Sequence, residues 1–149
     1  MLGDDRVVFG APCVDGGLLG GDPFLDLGTR ETFGAVVASR ANVMDWIAES
    51  RIDIDACRLA TLRTAALMDT EGDKAAAPHM SIIKVQVMRM ATTVVDRAIQ
   101  VHGAAGVSDD TPLARMYANL RALRIADGPD EVHLMAIARR ELRRQAALD

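Results

Sequence analysis

Aromatic side chains are scarce in this chain. Phe, Trp and Tyr make up 3% of its 149 residues, although half of the residues are hydrophobic. A core drawn from such material consists of aliphatic side chains, alanine and methionine, and the length suits a single domain. Only two cysteines occur, Cys13 and Cys57. They are too far apart for a Cys-x-x-Cys redox or zinc motif and too few for a disulfide framework, which fits a reducing cytoplasm. A basic excess is also missing: the formal charge is −4 and the pI is about 5.3. Such a balance argues against nucleic acid or an anionic membrane as a partner. No long apolar run is present, and acidic Asp4 and Asp5 precede Arg6 at the Met1 end, so neither a secretory signal nor a membrane span is expected. The three histidines, His79, His102 and His133, lack short ligand spacing and no cysteine cluster supports them. No metal site is expected.

Glycine and proline are present but unevenly placed. Residues 1–29 hold seven of the twelve glycines and two of the five prolines, in runs such as Asp15-Gly16-Gly17 and Gly20-Gly21-Asp22-Pro23. Such backbone is costly to order, so residues 1–29 are expected to be a loop or extended lead-in, with residues 30–149 as the folded unit. Arg6-Val7-Val8-Phe9-Gly10 echoes Arg30-Glu31-Thr32-Phe33-Gly34, but two five-residue matches do not make a repeat.

From Ser39 to about Met68 neither glycine nor proline appears, and Val43, Ile47, Ile54, Cys57 and Met68 recur at helical spacing, widened by Trp46, Leu59 and Leu62. That spacing predicts one long helix with these residues on its buried stripe. The polar stretch Asp69 to Pro78, containing Gly72, is expected to connect it to a second helix over His79 to Val101. There, Ile82, Ile83, Val87, Met90, Val94, Val95 and Ile99 lie nearly all round, as in a helix that is central or shared between subunits. Thr111-Pro112 reads as a capping hydroxyl before a first-turn proline, opening a third helix with Leu113, Met116, Tyr117, Leu120, Leu123 and Ile125 that stops at Gly128-Pro129. Asp130 then caps a fourth helix carrying Val132, Met135, Ile137 and Leu142, with Arg139, Arg140, Arg143 and Arg144 complementing its C-terminal dipole. The expected fold is all-α, an antiparallel four-helix bundle.

Two breaks between these helices could carry chemistry. Gly103 and Gly106 follow Gln100 at the end of the second helix, where absent side chains allow either a plain helix C-cap or close approach of a ligand to the backbone. Asp127 precedes Gly128, and Pro129, Asp130 and Glu131 stand at the start of the last helix, where free amides suit anionic or carbonyl groups. Glu131 there has the commoner role of a first-turn carboxylate that stabilises the helix. Arg115 and Arg124 line the third helix, either as solvated surface or to meet phosphates or the acidic groups of a partner.

Gln100-Val101-His102-Gly103-Ala104-Ala105-Gly106 followed by Ile125-Ala126-Asp127-Gly128-Pro129-Asp130-Glu131-Val132-His133 resembles the cofactor loop and catalytic junction of the acyl-CoA dehydrogenases. The likeness runs from about Arg30 to Arg143 and so covers only the C-terminal helical domain of that family. It implies FAD as cofactor, an acyl-CoA thioester as substrate, and α,β-dehydrogenation as the reaction. Gln100, Gly103 and Gly106 would meet the adenosine half of FAD, often from a neighbouring subunit; Ala104 stands where the family usually has a second glycine. Arg30 and Phe33, in Arg-x-x-Phe-Gly, would contribute the pyrophosphate contact, for which a guanidinium offers a charged fork. Ala35-Val36 replaces the usual proline and leucine after that motif. Asp127 matches the catalytic base, where most of the family has glutamate, and resembles the branch carrying Asp-Gly-Pro-Asp-Glu-Val-His. Pro129, Asp130 and Glu131 match flavin contacts.

The resemblance further implies a homo-oligomer, dimer or tetramer. It also implies that an N-terminal helical domain and a middle β-domain normally complete the site, supplied here by a longer chain or a separately encoded partner. Without them the flavin would stand open to water, and the chain alone would be a poor dehydrogenase. The alternatives are a non-catalytic oligomerisation or regulatory protein derived from the same domain, and a helix bundle with no flavin history.

Overall fold

The computed structural model describes residues 31–148. Arg30 and the lead-in over residues 1–29 lie outside the described residues. The described chain opens with a short antiparallel hairpin, β1 (Glu31–Thr32) and β2 (Ala35–Val36), in which Glu31 faces Val36 and Thr32 faces Ala35. Phe33 and Gly34 form its turn at φ 50° and 74°, the pair of positive values that a primed two-residue turn requires. Arg40 donates to the Thr32 carbonyl at 2.6 Å and ties the hairpin to the next element. A single 3₁₀ turn, Val37–Ser39, leads into the helices.

Four helices follow: α1 (Ala41–Glu71), α2 (Asp73–His102), α3 (Leu113–Leu123) and α4 (Asp130–Ala146). The all-α bundle expected from the sequence is the fold observed. α2 is its axis and packs against α1, α3 and α4, as its broad apolar surface predicts. Cys57, Met90 and Val94 form one cluster with Ile54 and Val87 against them. Val95, Ala98 and Leu113 form a second, flanked by Ile99, Met116, Tyr117 and Leu120.

Several boundaries differ from the sequence expectation. The connection placed over Asp69 to Pro78 shrinks to one residue, Gly72, at φ 83° and ψ 175°. Asp73 complements the dipole of the new helix and Ala75 to Ala77 are strong helix formers, so α2 starts six residues before His79. Pro78 lies inside α2 as its sixth residue, so the ladder forgoes the bond that an amide there would make to the Lys74 carbonyl. Thr111 does not cap α3; its hydroxyl donates to the Ala105 carbonyl at 2.9 Å, and Pro112 takes the cap position. α3 ends at Leu123, five residues before Gly128, because the chain turns there to reach α4. Asp130 is the first residue of α4, with Pro129 at the cap position, and its carboxylate is engaged by arginines instead of capping amides.

The buried stripe of α1 also differs. Val43, Ser50, Cys57 and Thr64, spaced by seven, face the bundle. Small side chains on this seam let two helices of about 30 residues, each ~45 Å long, lie close together. Ile47, Leu59 and Leu62, expected inside, point outward with Met44 and Ile52. On α4, Val132, Met135 and Leu142 are likewise exposed, and Asp130 is its buried residue.

Candidate functional site

The segment between α3 and α4 is built by a chain reversal held from several sides. The Ile125 and Ala126 amides both donate to the Ala122 carbonyl, extending the last turn of α3. Asp127 then adopts φ 54° and Gly128 φ 96°. A non-glycine residue with positive φ is uncommon, and aspartate tolerates it better than most. Pro129, fixed at φ −64°, returns the chain to the entry of α4, and the Asp130 amide donates back to the Arg124 carbonyl at 3.1 Å. The side chain of Asp127 is exposed, so its carboxylate projects from a backbone that is itself tightly held.

Asp130 is 2% exposed. Its Oδ2 accepts from Arg124 Nε at 2.9 Å and Nη2 at 2.8 Å, and from Arg89 Nε at 3.3 Å. Oδ1 is buried with no hydrogen-bond partner among the described residues. Burial alone would raise the carboxyl pKa, but the hydrogen bonds and charges of Arg124 and Arg89 outweigh it and hold Asp130 below the ordinary carboxylate range. An ion pair of this kind joins α2, the end of α3 and the start of α4.

His133, one turn into α4, faces two groups at 3.3 Å. Its Nε2 lies against the Asp127 carbonyl and its Nδ1 against the Ser81 hydroxyl of α2. Since a carbonyl only accepts, Nε2 carries the proton in this arrangement. A Cβ on Gly128 would stand 3.1 Å from the same Nε2, so the glycine makes room for the imidazole as well as for the left-handed turn. Lys84 of α2 completes the enclosure, donating to the Leu123 carbonyl at 2.6 Å and to the Ala126 carbonyl at 2.7 Å.

The second group of expected site residues lies at the end of α2. Gln100 is exposed on the last turn, and Gly103 ends the helix at φ 61° with its amide donating to the Ile99 carbonyl. Gly106 is buried for a packing reason: a Cβ there would come within 2.6 Å of the Ile99 carbonyl oxygen. His102 is buried and its Nδ1 meets the Ala98 carbonyl at 2.8 Å, which accounts for that ring without a ligand. No group of three or more His, Cys, Asp or Glu is placed to hold a metal ion among the described residues.

Asp127, Pro129, Asp130 and Glu131 are therefore together, and Gln100, Gly103 and Gly106 are together, but the two groups are apart. Lys84, beside the first, and Gln100, in the second, are separated by sixteen residues of α2, or ~24 Å along its axis. Phe33 belongs to neither α-helical break; its fully exposed ring stands on the hairpin turn. Sequence reasoning missed Ser81, Lys84 and Arg89. A signal for Lys84 was present, since it is a lone cation in the run Ile82 to Val87.

Alongside the site, an open groove of about 610 Å³ is lined by residues of α1, α2 and α4, including Asp53, Cys57, Val85, Arg89 and Ile137. Burial, reinforced by the charge of Asp53, pushes the Cys57 thiol pKa above its usual value. Among the described residues no helix is long and apolar enough to cross a membrane.

The model of the acyl-CoA dehydrogenase C-terminal domain matches residues 26–142, and this chain belongs to that family. It is 54% identical over 117 residues to acyl-CoA dehydrogenase family member 11 of Rattus norvegicus, covering 78% of this chain and 15% of the relative. It is 53% identical over 116 residues to FadE2 of Mycobacterium tuberculosis, a protein assigned to the acyl-CoA dehydrogenases, covering 78% of this chain and 28% of that one. A solved structure of a Mycobacterium abscessus protein with the same assignment superposes with a TM-score of 0.77 at 44% identity, covering 80% of this chain and 29% of the other. The chain thus spans less than a third of the length of these relatives.

Proposed function

We propose that this chain supplies the C-terminal helical part of an FAD-dependent acyl-CoA dehydrogenase, with Asp127 as the base that removes the α proton of the acyl thioester. The observation that supports it most directly is the exposed carboxylate on a left-handed backbone at the α3–α4 junction. Strained residues of this kind persist where the surrounding structure holds them, and they cluster at functional sites. FAD, when bound, supplies the hydride acceptor for the β carbon. The chain's own residues hold and aim the base: the junction presents Asp127 outward, while Asp130 is already committed to Arg124 and Arg89. Asp130 therefore serves the cofactor site by shaping the first turn of α4 beside Pro129 and Glu131, which remain available to a ligand.

Gln100 and Gly103 fit a purine or ribose edge, since an exposed amide stands beside a turn bare of side chains. Their separation from the Asp127 junction suits the far end of a long cofactor or the cofactor of a second copy of the chain. Phe33, with its exposed ring on the hairpin tip, and Arg30 before it are the matching pair for the pyrophosphate region. The remaining domains of the relatives are needed to cover the flavin and dry the site, because a carboxylate in water is a weak base. They come from a longer chain or a separate partner.

Assembly with the N-terminal and middle domains of an acyl-CoA dehydrogenase, followed by acyl-CoA-dependent bleaching of the flavin absorbance, tests the proposal. Asp127→Asn keeps the shape and removes the base, and is expected to lower kcat by about 10²- to 10⁴-fold with flavin content unchanged. Full turnover in that variant would refute the assignment. A second reading, a non-catalytic helical oligomerisation protein, draws on the exposed apolar side chains of α1; an assembled complex that never takes up flavin would favour it.

A further inference from the structure

The Asp127 carboxylate is aimed by its backbone, and that backbone is held by a residue far away in sequence. A positive φ at a non-glycine position relaxes unless neighbouring peptide planes are fixed. The plane joining Ala126 to Asp127 decides the matter, because flipping it changes ψ of Ala126 and φ of Asp127 together. Its carbonyl accepts from Lys84 Nζ at 2.7 Å, and the same ammonium takes the Leu123 carbonyl at 2.6 Å. Leu123 is the last residue of α3, whose final carbonyls lack intrahelical partners and favour a cation. One ammonium thus ends α3 and fixes the peptide before Asp127. The plane on the other side of Asp127 is engaged by His133, which is backed by Ser81 one turn before Lys84 on α2.

We propose that Lys84 is a positioning residue for Asp127: its ammonium, by bonding the Leu123 and Ala126 carbonyls, imposes the left-handed conformation that directs the carboxylate. This rests on Asp127 as the base. Lys84 touches no substrate; it acts through the backbone. An aliphatic stem carries the charge from α2 to the junction, so a residue lacking the head group keeps the packing and loses the clamp.

The test compares Lys84→Met, which retains the stem, with Lys84→Arg, which retains a donor head group, in the full 149-residue chain. Amide hydrogen exchange over residues 124–130 is expected to rise at least about tenfold in Lys84→Met, the change produced by an opening equilibrium shifted by one decade. Exchange around Cys57, Met90 and Val94 should not move, and Lys84→Arg should restore the junction. Unchanged junction exchange in Lys84→Met would overturn the proposal, and so would a uniform rise along α2, which would mark Lys84 as a packing residue. If Lys84→Met does not fold, the Asp127 ¹³Cα and ¹³Cβ shifts of Lys84→Arg and the wild-type chain decide: left-handed values in both support the clamp, and extended values in the wild type refute it. In the assembled enzyme, Lys84→Met should lower kcat with little change in the KM for acyl-CoA. Failure of the base assignment shows separately, as full turnover in Asp127→Asn, and leaves the exchange result standing.

Discussion

Asp130 shows how one buried carboxylate can tie three helices together. Its folded pKa lies below the ordinary carboxyl value because Arg124 and Arg89 overcome the cost of burial. The stability it contributes is therefore fully present above the unfolded carboxyl pKa of about 4 and is lost as pH falls through the lower folded value. Replacing it with asparagine should flatten the acid limb of the stability–pH curve, read from urea midpoints between about pH 2 and 5. At neutral pH the same change should cost about 1–3 kcal/mol, the usual range for a buried polar partner left unmatched. The cost stays in that range because Arg89 and Arg124 are 49% and 29% exposed and can rehydrate. An equally steep acid limb in the variant would show that the pair does not set it. At this scale the sequence singled out Asp127 through its neighbours in the motif. It did not reveal Lys84, whose partners are 39 and 42 positions away, because a hydrogen bond to a backbone carbonyl leaves no residue-type signature at the accepting end.

Among the elements, the α1–α2 hairpin depends on a single residue. Gly72 at φ 83° and ψ 175° occupies a region that is essentially closed to residues with a Cβ. Nothing lies within 4 Å of the position a Cβ would take, so the penalty for Gly72→Ala is backbone strain alone. A loss of about 1–3 kcal/mol in unfolding free energy is expected, with the midpoint shifted and the denaturant slope unchanged. A neutral Gly72→Ala would mean that the two helices join in another way. Helical content was legible from periodicity, since Val43, Cys57 and the apolar residues of α2 repeat at helical spacing. The boundary at Gly72 was misplaced because a polar stretch reads as a loop whether or not Ala75 to Ala77 continue the helix. The facing of α1 was misjudged because its seam uses Ser50, Cys57 and Thr64, small residues that a hydrophobic stripe does not flag.

At the scale of the whole molecule, the exposed large apolar residues decide its behaviour. Met44, Ile52, Leu59 and Leu62 on α1 and Val132, Met135 and Leu142 on α4 are all more than 45% exposed. Apolar area of this extent on a domain marks a contact surface. The chain is expected to run in light-scattering-coupled gel filtration as two or four copies of its 16.0 kDa mass, and a monodisperse single-chain mass would exclude self-association as the cover for these faces.

The sequence by itself determined that this is an aliphatic helical bundle and, through short motifs with glycine, proline and acidic residues in order, which family it belongs to. Those features are local, carried by residue type and near-neighbour spacing. Only the tertiary structure decided which faces are buried, that Gln100 stands ~24 Å along α2 from Lys84 at the Asp127 junction, and that α2 grips the junction through Ser81, Lys84 and Arg89. These depend on how helices cross and on which distant carbonyls a long side chain can reach, and neither is written in the spacing of one segment.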